Sequence, residues 1–240
     1  MAGLVVACVV VLVACGEDLE SAQNGGSSAE PTAPVVRPSV EVVEDSIVRI
    51  VGFGCGAPTL GTGFAVAPQL IITNGHIVTG RDPETLTVQQ VDGTEYPAIL
   101  VGFDQDLDLA LLRIDEAEFR PVTLITEVPI VDGVAIGIRP VDGENAVNEV
   151  EFVVDAPVTV NWDGVFRDTE SSYRGLRIDA EIRKGDSGSP LFINDRDVIG
   201  LVQSKARRGD PRGYAVGSSE IARFVAGIDP AVEVVAERCT

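Results

Sequence analysis

This 240-residue sequence predicts an all-β domain of two small antiparallel barrels followed by one C-terminal helix. Three observations carry that prediction. From Ile47 onward the apolar residues come in short β-branched runs separated by Gly, Asp, Asn and Pro, the rhythm of strands and turns. Apolar residues make up 45% of the chain but aromatic residues only 5%, so Val, Ile, Leu and Ala must fill the core. Helical spacing occurs only near the end, where Ile221, Phe224, Val225 and Ile228 repeat behind a Ser218-Ser219 cap and before a stop at Gly227 and Asp229-Pro230.

The chain opens with an apolar stretch over residues 4–14. A bilayer crossing takes about 20 such residues, so this length suits the centre of an export signal instead. It ends Leu12-Val13-Ala14-Cys15, which resembles the lipobox of bacterial lipoproteins. Residues 1–15 are therefore expected to be a signal segment and Cys15 to carry lipid, anchoring the protein to a membrane outside the cytoplasm. Met1-Ala2-Gly3 departs from the pattern, because export signals usually begin with Lys or Arg. Residues 16–46 are rich in Ser, Gly, Pro and acids, including Gly25-Gly26-Ser27-Ser28, and read as a flexible linker. Residues 47–240 remain for the domain.

Within it the expected strands span 47–53, 63–67, 70–73, 85–91, 96–103, 109–114, 134–138, 149–160, 176–178, 190–193, 198–203 and 213–216. Asp92-Gly93 between Val91 and Thr94 predicts a two-residue hairpin, whose central residues both take positive φ.

The net charge of −19 argues against a nucleic-acid partner, since phosphates would be repelled. It fits solubility in an exposed setting. One histidine in the whole chain and no Cys-x-x-Cys pair argue against a metal site, and no cofactor is expected.

Gly185-Asp186-Ser187-Gly188-Ser189-Pro190 is the most specific run. A serine hydroxyl is a weak nucleophile that needs a base and donors aimed at the oxyanion it creates. Gly185 permits a sharp turn, and the N–H groups of Gly185 and Ser187 are expected to form an oxyanion hole. The same residues also make ordinary surface turns. Leu70-Ile71-Ile72-Thr73-Asn74-Gly75-His76 delivers the sole imidazole, the side chain whose pKa suits a general base near neutrality. Asp108 stands at the mouth of the apolar run Leu109-Ala110-Leu111-Leu112, where a carboxylate could orient the imidazole. Asp104 and Asp106 compete for that role but sit in a polar turn.

The order His76, Asp108, Ser187, with contexts TNGHIV, DLALL and GDSGSP, resembles the chymotrypsin-fold serine proteases, most of all HtrA-type protease domains without a PDZ domain and the periplasmic acid-resistance proteases. The resemblance runs from Ile47 to about Ile228. It implies two six-stranded barrels with a triad between them, endopeptidase activity on protein or peptide substrates, and no cofactor. By family position Glu181 lies near the base of the primary specificity pocket, where it would favour Arg or Lys, although the alternation along Ile178-Asp179-Ala180-Glu181-Ile182 does not fix whether it faces the pocket or points outward. By the same resemblance Ser204, Lys205 and Ala206 would pair with substrate backbone.

Departures from the family matter. Arg49-Ile50-Val51-Gly52 imitates a zymogen activation site but lies too close to His76 and reads as a strand, so Asp186 needs some partner other than a released N-terminus. Ser189 replaces a usual glycine. Ile77 stands where animal trypsins have a cysteine, and Cys55 and Cys239 are left as an even pair, expected to bridge. Two rival functions are a binding module on a degenerate protease fold and an esterase, although the G-x-S-x-G elbow is absent.

Overall fold

The computed structural model describes residues 38–54, 56–128, 130–166, 170–205 and 212–236. Strands dominate, as the runs of Val, Ile and Leu require. In the first half these are β1 (Ile47–Val51), β2 (Phe53–Gly54), β3 (Ala57–Pro58), β4 (Gly61–Ala67), β5 (Leu70–Asn74), β6 (Thr87–Gln89), β7 (Glu95–Pro97), β8 (Ile99–Asp104) and β9 (Leu109–Arg113). In the second half they are β10 (Thr123–Leu124), β11 (Asp132–Val141), β12 (Glu144–Trp162), β13 (Ser171–Asp179), β14 (Pro190–Phe192), β15 (Asp197–Lys205) and β16 (Arg212–Gly217). Short helices α1 (Val40–Val43) and α2 (Gly75–Val78) precede the longer α3 (Ser218–Ala226).

Each half makes a seven-stranded sheet, in the orders β7-β6-β1-β4-β5-β9-β8 and β10-β15-β14-β11-β12-β13-β16. Both reduce to the expected six-stranded barrel. In the first, β7 and β8 are one bent strand interrupted only at Ala98, which is buried and donates its N–H to the Leu86 carbonyl at 2.9 Å. That bend carries the chain from its pairing with β6 to its pairing with β9 and closes the ring. In the second, β15 also pairs with β16, closing six antiparallel strands, and β10 is an added parallel edge on β15.

The sequence and structure differ at several points. The stretch read as linker ends too late: Val43 of α1 is fully buried in the core and Ser46 is buried too, so the domain begins ahead of Ile47. Asp92-Gly93 is not a two-residue hairpin. Only Gly93 has positive φ, Gln89 pairs with Glu95, and the connection is longer because the Asp92 carboxylate accepts the Thr94 N–H at 2.8 Å. The two-residue turn is at Asp142-Gly143, with φ of 52° and 91°, where Val141 pairs directly with Glu144. Ser218 does not cap α3. Its hydroxyl donates to the Val198 carbonyl at 2.7 Å, tying the helix to β15, and Gly217 occupies the cap position.

Three apolar clusters organise the interior. One fills the first barrel around Ile50, Ile71, Val88 and Leu112, and another fills the second around Phe152, Ile178, Leu191 and Val202. A third joins the barrels, with Phe64, Ile72 and Leu109 against Ile136, Ile138 and Phe192, and takes in Ile221 of α3. Burying a side chain of this size is worth roughly 1.5–3 kcal/mol. The barrels are therefore held as one body, which fixes the loops that meet at their junction.

Candidate active site

His76 enters on α2, immediately after β5. Gly75 allows this approach, because a Cβ there would crowd Phe103 at 3.0 Å, Val165 at 3.3 Å and the Asp108 backbone at 3.4 Å. The Asp108 carbonyl accepts the Gly75 N–H at 2.9 Å and the Asn74 side-chain amide at 3.2 Å. Its carboxylate accepts the His76 N–H at 2.8 Å through one oxygen and meets His76 Nδ1 at 2.8 Å through the other. These four contacts hold Asp108 at φ 56°, a left-handed conformation that Asp tolerates better than most residues.

Electrostatics follow from that grip. Asp108 is 1% exposed, whereas 41% of the His76 side chain is open to the cleft. Burial pulls the imidazole pKa down and Arg81 adds to that pull, but the charge of Asp108 and its hydrogen bond prevail, and the net shift is upward from 6.5. The two competing acids have structural partners. Asp104 accepts the N–H groups of Asp106 and Leu107 at 2.9 Å each, and Asp106 accepts the Ser171 hydroxyl at 2.5 Å.

Ser187 sits in the turn between Gly185, at φ 100°, and Gly188, at φ 85°. A Cβ on Gly188 would run into the Thr62 carbonyl, so that position admits only glycine. The loop is pinned from both sides: the Thr62 N–H donates to the Ser187 carbonyl at 2.9 Å and the Gly188 N–H to the Val202 carbonyl at 2.8 Å. Among the described residues the N–H groups of Gly185 and Ser187 have no acceptor. The Ser187 hydroxyl donates to the Gln203 carbonyl at 3.3 Å.

Asp186, 1% exposed, has its substitute for a released N-terminus. It accepts the Arg183 N–H at 2.7 Å and the Asn148 amide at 3.1 Å, and it pairs with Arg139 at 3.5 Å. Burial raises its pKa, against the hydrogen bond from Arg183 and the positive charges of Arg139 and Arg183. Ser189, the departure from glycine, is 2% exposed and fits because it faces Gly137, which has no side chain to oppose it.

His76, Asp108 and Ser187 line one cleft of ≈ 1150 Å³. Ser204 lines it as well, but Glu181 does not: its side chain is 78% exposed and pairs with Arg183 at 2.6 Å. Glu181 is thus no pocket base, because the alternation of buried Ile178, Ala180 and Ile182 with exposed Asp179 runs on past the end of β13 and turns it to solvent. Val160, Ile182, Gln203 and Tyr214 face the cleft instead. Gln203 accepts a short hydrogen bond from the Tyr173 hydroxyl, whose pKa burial and the charge of Asp108 push up. Sequence reasoning missed Arg139, Asn148, Thr62 and Gln203, none of which lies in a motif. Ala206, Cys15, Cys55 and Cys239 lie outside the described residues. Among the described residues no cluster of His, Cys, Asp and Glu is arranged to hold a metal ion.

Two closed barrels with an Asp-His pair and a glycine-flanked serine at their junction define a serine-peptidase class of protein. Residues 61–201 match the family described as trypsin-like peptidase domain, and the chain belongs to that family. It is 27% identical over 205 residues to serine protease Rv3671c of Mycobacterium tuberculosis, covering 84% of this chain and 50% of that one. It is 32% identical over 171 residues to serine protease HTRA1 of Xenopus tropicalis, covering 69% and 35% respectively. The chain thus spans half or less of the length of these curated relatives. The crystal structure of the active form of the M. tuberculosis Rv3671c protease has the same fold, with a TM-score of 0.75 at 23% identity over 91% of this chain and 99% of that one.

Proposed function

We propose that the protein is a serine endopeptidase in which His76 deprotonates Ser187, Asp108 orients the imidazole and stabilises the imidazolium that forms, and the Gly185 and Ser187 N–H groups receive the oxyanion. Ser187 Oγ attacks the scissile carbonyl, its proton passes to His76 Nε2, and the amine leaves with that proton. Water then hydrolyses the acyl-enzyme by the same route in reverse. The observation that carries this reading is the Asp108 to His76 Nδ1 contact of 2.8 Å in the cleft that Ser187 also lines. It directs Nε2, and not Nδ1, to be the base. Two unpaired N–H groups beside the serine supply the electrostatic half of catalysis.

The test is a fluorophosphonate probe. It labels the native protein and not Ser187→Ala, and cleavage of unactivated peptide bonds, which an esterase leaves intact, then separates a peptidase from an esterase. A second reading is a binding module on the protease fold, favoured by the Ser187 hydroxyl donating to Gln203 instead of to His76. A native protein that takes no label at any pH would establish it.

The reading extends to location. The lipobox-like Leu12-Val13-Ala14-Cys15, followed by a Ser/Gly/Pro-rich segment, supports a peptidase tethered outside the cytoplasm through Cys15. Cys15→Ala should move the protein from the membrane fraction to the soluble one. In the same compartment a Cys55–Cys239 bridge would persist, and intact mass without reductant detects it.

A further inference from the structure

A second cavity, of ≈ 270 Å³, abuts the loop that carries Ser187 and is walled by Arg49, Leu60, Gly61, Arg139, Lys184 and Gly185. Lys184 walls both this cavity and the main cleft. Three cations around so small a space stand out in a chain of net charge −19.

Their charges are poorly compensated. Among the described residues Arg49 Nη1 donates only to neutral amides, those of Gln89 at 3.3 Å and Asn145 at 3.1 Å, and its buried Nε has no acceptor. Glu95 is reached only through Gln89, whose amide donates to it. Lys184 is exposed and has no hydrogen bond or ion pair with any described residue. Of the three, Arg139 alone meets a carboxylate among the described residues, that of Asp186, which already accepts two other donors.

We propose that this cavity receives a carboxylate carried by the leaving-group segment of a peptide substrate, making Arg49 and Lys184 specificity-determining residues. The inference rests on the serine-peptidase reading. In that reading the acyl segment runs along Ser204 of β15 in the main cleft, with its carbonyl at Ser187 and the oxyanion toward Gly185. The chain beyond the scissile bond then passes over Gly185 toward Leu60 and Gly61, into this cavity. A guanidinium presents a planar fork to a carboxylate, and the Lys184 ammonium adds a mobile point charge. The protein's overall field repels acidic peptides, so a local cationic pocket is what lets one dock in register.

The test uses a random octapeptide library in two forms, C-terminally amidated and free acid, which separates a side-chain carboxylate from a terminal one. Among products cut by the native protein, Asp and Glu should be enriched about three- to fivefold at the first or second position after the cut, or the free-acid form preferred by that factor, the size of a partly exposed ion pair. The preference should vanish in Arg49→Gln and in Lys184→Gln and fade with salt. A cleavage profile indifferent to acids at those positions overturns the inference and leaves the peptidase intact. If the native protein cuts nothing, the catalytic reading fails, and peptide retention on Ser187→Ala decides: acid-enriched retention lost in the Arg49→Gln/Lys184→Gln background supports the cavity, and unenriched retention overturns it.

Discussion

The carboxylate of Asp108 holds His76 twice, through the backbone N–H and through ring Nδ1, at 2.8 Å in each case. Asp108→Asn separates the two functions. An asparagine oxygen can still accept the backbone N–H, and Asn tolerates the left-handed φ of 56°. Its NH₂, however, would face Nδ1 as a donor and force the proton onto Nε2. The expected result is a native fold, thermal stability close to native once the pH is above the raised His76 value, and kcat lower by about 10⁴. A variant with near-native kcat would remove Asp108 from the proposed triad.

The raised pKa of His76 sets opposite pH trends for activity and stability. In the proposed mechanism the base must be neutral, so kcat/KM should rise with pH through a midpoint above 6.5. The folded state prefers the protonated ring, so the stability this group contributes is fully present below 6.5 and is lost as pH rises through the folded-state value. Asp108→Asn should remove that increment along with the activity. A pH profile with its acid limb below 6.5 in the native protein would contradict this assignment.

That Ser187, His76 and Asp108 would meet at one cleft was legible because each role proposed for them demands a particular residue type beside a particular backbone: glycines around the serine, a strand end before the histidine, an apolar run after the aspartate. The barrels were legible because β-branched runs have few other uses. The turn at Asp142-Gly143 was not, since Asp92-Gly93 has the same composition and only strand register tells them apart. Glu181 shows the same limit, because one residue of register decides whether a side chain faces a pocket or water. Arg139 and Asn148 lie 47 and 38 residues from Asp186, on the β11–β12 hairpin, and nothing in sequence marks a long-range partner of that kind.

Arg139 and Asp186 make a pH-dependent pair. Arg139→Gln leaves a buried carboxylate with hydrogen bonds but without its adjacent cation, and the expected loss is about 1–3 kcal/mol near neutrality. The pKa of Asp186 is already raised by burial, so its ionised form costs stability above its ordinary 3.8 and needs the cation most there. As pH falls through the raised value the carboxyl becomes neutral and the penalty of Arg139→Gln should shrink. Denaturant midpoints at about pH 7 and about pH 4 measure it, and Asp186→Asn in the Arg139→Gln background should recover most of the loss at pH 7. An equal penalty at both pH values would mean that Arg139 acts through packing alone.

Thr62 makes contacts from the first barrel that the second barrel's nucleophile loop depends on. Its N–H donates to the Ser187 carbonyl at 2.9 Å, its hydroxyl oxygen accepts the Ile138 N–H at 3.1 Å, and its carbonyl accepts the Thr73 hydroxyl at 2.7 Å. Thr62→Val keeps the shape and both backbone bonds but leaves the Ile138 N–H without its acceptor in a fully buried site. That should cost about 1–3 kcal/mol, the penalty for an orphaned buried donor. Because Ile138 precedes Arg139, the partner of Asp186, the strain should reach the oxyanion loop and lower kcat more than it raises KM. Thr62→Ser restores the oxygen while removing one methyl group, so it should regain most of the activity at a cost of about 1 kcal/mol. Were Thr62→Ser as inactive as Thr62→Val, packing of the methyl and not the hydrogen bond would be what holds the two barrels in register at the serine.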